Sequence, residues 1–121
     1  MKYMLLVHHD EQFLNDLGET EIQKLRGESV QLANELDTSG RYVDAAPLQP
    51  AATAACIRIR EGKPLVTDGP FAETREQLGG YFLVTADSFE EAVEIGGRIP
   101  GARIGTVEVR QVIELPGLPK K

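Results

Sequence analysis

Val66–Tyr81 reads VTDGPFAETREQLGGY, and two turn clusters frame it, Asp68-Gly69-Pro70 and Gly79-Gly80. Glycine frees φ and proline fixes it, so the backbone path between the flanking apolar segments is tightly specified. Beyond the run, Tyr81–Ala86 reads as a strong strand. Before it, Thr53–Arg60 alternates, with Ala55, Ile57 and Ile59 on one face and Cys56, Arg58 and Arg60 on the other. Glu61-Gly62-Lys63 then turns into Pro64–Thr67, which completes a hairpin.

Outward from that centre the pattern alternates between strand and helix. Lys2–His8 is an apolar strand and Asp10–Gly18 a polar connection. Thr20 and Gln23 have capping-box spacing, so a helix is expected from Thr20. Ile22, Leu25, Leu32, Ala33 and Leu36 make its apolar stripe, Gly27 suggests close packing or a bend, and Gly40 ends it as a left-handed cap. Arg41–Ala46 is a short strand cut off by Pro47 and Pro50. After the central run, Ser88 and Glu91 form a second capping box, with Phe89, Ala92, Val93 and Gly96 expected on the buried stripe. Gly96-Gly97 and Pro100 stop that helix, and Ile104–Ile113 is a final strand.

The order predicts an α+β fold: the ferredoxin-like β-α-β-β-α-β plan with an extra central hairpin. One domain is expected over residues 1–115, with a Pro-rich tail over 116–121. Two helices cover one sheet face and leave the other bare but still apolar. A second copy would cover it, so a homodimer is expected.

Composition narrows the functional classes. The chain has 121 residues, 41% apolar and 26% charged, with net charge -6 and no clustered Lys or Arg, which argues against nucleic acid. No apolar run approaches the roughly 18 residues of a membrane span, and no signal-peptide pattern follows Met4–Val7, so no membrane partner and a cytoplasmic location are expected. One cysteine, Cys56, rules out an internal disulfide and reads as a small packing residue.

Three blocks carry a further signal: MKYMLLVHHDE at the start, VTDGPFAETREQLGGYFLV in the middle and RIPGARIGTVEVR near the end. Together they resemble the YCII-related superfamily, specifically its DGPF branch. The resemblance implies a dimeric α+β barrel. Some DGPF relatives are encoded beside or fused to extracytoplasmic-function sigma factors, and a few members of the wider superfamily act on small aromatic or quinol-like molecules through a His–Asp pair. In that other branch the histidine lies on the first helix and the aspartate follows the second strand. This chain has no histidine between Thr20 and Gly40 and reads Pro47-Leu48-Gln49-Pro50 after the second strand, so the usual dyad is absent.

Candidate chemistry therefore rests on other residues. His8 and His9 are the only histidines, and adjacent strand residues point to opposite faces, so at most one of them enters any given cavity. In the catalytic reading His9 is the general acid/base and Asp68 orients it; in the structural reading Asp68 accepts bonds from its own turn amides. His8, Tyr81 and Arg103 are candidate ligand-binding residues, the arginine for a carboxylate. Arg98, Arg103 and Arg110 are each expected rather to pair with surface acids such as Glu108 or Glu94. No metal spacing and no phosphate loop occurs, so no metal and no cofactor is expected. Two classes follow: a homodimer that binds a small organic molecule in a sheet-bounded cavity, with or without His/Asp catalysis, or a non-catalytic interaction or regulatory module, such as one associated with a sigma factor.

Overall fold

A computed structural model describes residues 1–120; Lys121, the end of the expected tail, lies outside them. The elements run β1 (Lys2–His9), α1 (Glu11–Leu17), α2 (Glu19–Thr38), β2 (Tyr42–Pro47), β3 (Ala55–Arg60), β4 (Lys63–Asp68), β5 (Gln77–Thr85), α3 (Phe89–Arg98) and β6 (Thr106–Gln111). Short 3-10 turns occupy Ala51–Thr53 and Pro100–Arg103. The main sheet has the order β2-β5-β1-β6 with every pair antiparallel, and β3-β4 form a separate two-stranded sheet. This is the ferredoxin-like α+β architecture, with the central hairpin standing apart from the main sheet.

The core forms where strand alternation meets the helix stripes. Tyr3, Leu5, Phe82 and Val84 project from the two central strands against Leu32 and Leu36 of α2 and Ala92 and Ile95 of α3. The Tyr3 ring meets Phe89 edge-on at 6.2 Å, so Phe89 flanks the core while remaining half-exposed. The buried stripe of α3 is thus Ala92, Ile95 and Gly96; Phe89 and Val93 lie at its margin. Among the described residues no polar or charged side chain is fully buried, and no helix is long and apolar enough to cross a membrane.

Helix termini explain two departures from the sequence reading. Asp10 accepts hydrogen bonds from the backbone N–H groups of Gln12 (3.0 Å) and Phe13 (3.3 Å), which caps a short helix where a polar connection was expected. The next helix then starts at Glu19 behind Gly18, and the Thr20–Gln23 box does not form; Gln23 bonds Glu19 instead. Ser88 does cap α3, accepting from the Glu91 N–H at 3.1 Å, while Glu91 returns to the Asp87 N–H rather than to Ser88. At the end of α2, Gly40 has φ 76°, its N–H reaches Asp37 and the Arg41 N–H reaches Leu36 at 2.7 Å. These two bonds are a Schellman cap.

Prolines and glycines act differently from their reading as breakers. Pro47 is the last residue of β2 and pairs with Gly80, which an edge strand permits because no neighbour needs its missing N–H. Gly79 and Gly80 lie inside β5, not in a turn. Val7 pairs with Gly80 and His8 with Leu78, so Gly79 is the unpaired residue of a bulge. Nothing lies within 4 Å of a Cβ built at Gly27, so that glycine marks no close contact.

Candidate functional site

The two ends of the helix-covered sheet face are filled differently. At the Tyr3 end large side chains interlock. At the other end β1 and β5 offer Val7, His9, Gly79 and Gly80, and β2 offers Ala45 and Ala46. Ile22 and Leu25 of α2 do not reach this small-residue surface closely enough to be buried. A cavity of about 910 Å³ results, roofed by α1 and α2 and closed at one side by the Pro100–Arg103 turn. It lies within one chain, between sheet and helices, rather than against the bare sheet face.

His9 is the histidine that enters it. Alternation from the buried residues Tyr3 and Leu5 carries through Val7 to His9, and the imidazole lies across Gly79, where any Cβ would overlap the ring. Gly79 is therefore required by close approach. Burial pulls the His9 pKa below its ordinary value and outweighs the opposing pull of nearby carboxylates, Glu11 first and then Glu76 and Asp10; His8 adds to the lowering. The ring is thus neutral at neutral pH.

Glu11 is the residue that sequence reading missed. It opens α1, borders the cavity with His9, and accepts the Ala51 N–H on Oε2 at 2.8 Å. Asp10 is tied to the DGPF segment by Arg75, at 3.5 Å. Asp37 is the other carboxylate around the cavity and Arg26 the cation, all remaining neighbours being apolar or neutral polar. The signal for Glu11 was the Asp10 cap, which starts a helix and turns its first residue toward the strand end.

The other expected residues are dispersed. His8 faces the bare side, with Nε2 3.1 Å from Glu108 Oε1. Tyr81 borders the cavity, but its register opposite Leu6 turns the ring to the bare side, where the hydroxyl donates to Asp44 Oδ2 at 2.7 Å. That bond raises the Tyr81 pKa, so the phenol stays protonated near neutrality with its hydroxyl committed to Asp44. Arg103 pairs with Glu28 at 2.9 Å and Arg98 with Glu35 at 2.8 Å, acids of α2 rather than Glu108 or Glu94. Asp68 ends β4 on the separate hairpin, exposed and outside the cavity of its own chain. Among the described residues its carboxylate has neither a histidine nor a turn amide as partner. The turn is held instead by the Gly69 N–H on Ala54 (2.7 Å) and by the Cys56 thiol on the Gly69 carbonyl (3.4 Å). No group of three or more metal-ligating side chains occurs among the described residues.

Comparison with known proteins gives one consistent lineage. An uncharacterized protein of Rhizobium meliloti (strain 1021) is 31% identical over 112 residues, covering 91% of this chain and 90% of that protein. The YCII-related domain matches residues 1–116, from the first strand through the last. This chain belongs to the YCII-related family.

Proposed function

We propose that this chain is a homodimeric, cytoplasmic protein of the DGPF branch that binds a small apolar organic molecule in the cavity, with His9 as its acid–base group. The observation that carries this reading is an imidazole kept neutral at the wall of a mainly apolar cavity of about 910 Å³. Small-molecule sites span about 300–1,000 Å³ and combine apolar walls with a few placed polar groups. A neutral imidazole accepts a proton at neutral pH, and the Glu11 carboxylate favours the imidazolium that results. The fitting chemistry is proton transfer on a ligand that presents one acidic O–H or C–H beside an apolar body. Asp68 stands outside the cavity of its own chain, so its place in this reading is from a second copy.

The test uses phenol and toluene as probes, followed by NMR. Phenol should shift the His9 ring and the methyls of Ile22 and Leu25, and toluene the methyls with less effect on His9. Absence of any response around the cavity to either probe would sink the reading. The alternative, an interaction module engaging a sigma factor, draws on one observation, the exposed β3–β4 hairpin. It loses that support if a second copy covers the hairpin.

A further inference from the structure

Arg26 is the cation on the wall of the cavity, and among the described residues no carboxylate pairs with it. Arg41, Arg98 and Arg103, by contrast, each hold an acid: Asp87 and Glu91, Glu35, and Glu28. The sequence accounts for the exception. A helical arginine finds partners three or four positions away, and around Arg26 those are Ile22, Gln23, Ser29 and Val30, none of them acidic. The two carboxylates of the lining leave it unpaired as well. Glu11 holds the Ala51 N–H on Oε2 at 2.8 Å, and Asp37 lies eleven residues further along α2, roughly 16 Å by helix rise.

Topology sets the end of the cavity that Arg26 occupies. β1 and β2 both run antiparallel to β5, so they are parallel to each other and α2 returns between them in the opposite direction. Leu32 and Leu36 pack with Tyr3 and Leu5 at the closed end, so the earlier residue Arg26 lies toward the end that β1 reaches with His9. Arg26 and His9 thus share one end, with Ile22 and Leu25 as apolar wall, and Asp37 stands at the other.

We propose that the molecule bound in this cavity is an organic carboxylate with an apolar body, its carboxylate held by Arg26 and its body laid along Ile22 and Leu25 toward His9; the inference rests on the cavity reading above. A guanidinium presents a planar fork that matches a carboxylate with two parallel N–H···O bonds. A hydrocarbon fills the apolar wall and leaves that fork unused, and a ligand ammonium meets it as a like charge. The chain as a whole carries -6, so its general field repels anions. Affinity for a carboxylate must therefore come from a local cation, and Arg26 is the one that borders the cavity.

The experiment titrates the full chain with benzoate, toluene and benzylamine, three probes of one shape that differ in charge at neutral pH. The NMR shifts of the Ile22 and Leu25 methyls report occupancy of the cavity. The titrations are repeated in Arg26→Gln and in Lys24→Gln, which removes an exposed charge of α2 outside the cavity lining. Benzoate should bind more tightly than toluene, and benzylamine least. Arg26→Gln should weaken benzoate at least about fivefold while toluene stays within about twofold, which also shows that the cavity is intact in the variant. Lys24→Gln should leave benzoate within about twofold of the parent, since screened surface charge contributes little. Benzoate binding no better than toluene or benzylamine, a loss in Arg26→Gln no larger than in Lys24→Gln, or an equal loss for toluene overturns the carboxylate and leaves the cavity reading standing. If none of the three probes moves the cavity methyls, both fall.

Discussion

His9 and Gly79 occupy one space: the imidazole from β1 rests where a side chain on β5 would project. The ring's position therefore depends on a hydrogen atom at a residue on another strand. Gly79→Ala should displace the ring and cost about 1–3 kcal/mol as overpacking. Thermal unfolding together with the His9 ring shifts in NMR checks both effects. An unshifted ring would mean that the backbone of β5 yields instead.

Glu11 is the strongest of the carboxylates that oppose the burial-lowered pKa of His9. Glu11→Gln keeps an acceptor for the Ala51 N–H but removes the charge. The His9 pKa should then fall further, because a raising influence is gone while burial remains. An NMR pH titration of the imidazole reads the change directly, and a pKa that rises in the variant contradicts the assignment.

The same shift predicts how stability varies with pH. The unfolded chain binds a proton on His9 near the ordinary value of about 6.5, whereas the folded chain resists it. The contribution is fully present above that value and declines as pH falls from there toward the lower folded pKa. Urea unfolding at successive pH values should show this decline in the parent and a flatter profile in His9→Gln.

Two positions test the frame that holds the cavity open. Leu36 is almost fully buried at the closed end, so Leu36→Ala should cost about 2–5 kcal/mol. Gly40 sits at φ 76° in the Schellman cap, and Gly40→Ala should cost about 1–2 kcal/mol. Denaturant midpoints measure both.

On the bare face, Asp44 holds the Tyr81 hydroxyl at 2.7 Å and keeps its pKa high. In Asp44→Asn the phenol should titrate closer to its ordinary value, a fall visible in the ultraviolet absorbance of the phenolate. No change would place the cause outside this bond.

The order of elements was legible because the apolar run Lys2–His8, the alternation of Thr53–Arg60 and the spacing of Leu32 and Leu36 are local signals. Helix α1 was not, since its seven residues bury no side chain and leave no stripe to read. For the site, His9 was visible as a residue type at a strand end. Its neighbours were not, because Glu11 reaches the cavity through a helix start and Gly79 reaches the ring across a strand pair. Gly79-Gly80 looks like a turn in sequence, and only the pairing of Val7 with Gly80 and His8 with Leu78 reveals a bulge. Asp68 read either as an orienter of His9 or as an acceptor for its own turn amides, and the hairpin sets it in neither contact within the chain.

The bulge at Gly79 also bears on how such a pocket arises and disappears. Deleting this one residue would leave every other pair of β1 and β5 in register, with Val7 still opposite Gly80 and His8 opposite Leu78. The ladder would close and the berth for the imidazole would vanish with it. A single-codon insertion or deletion at this position thus changes what lies beside His9 while leaving the rest of the strand pairing as it is.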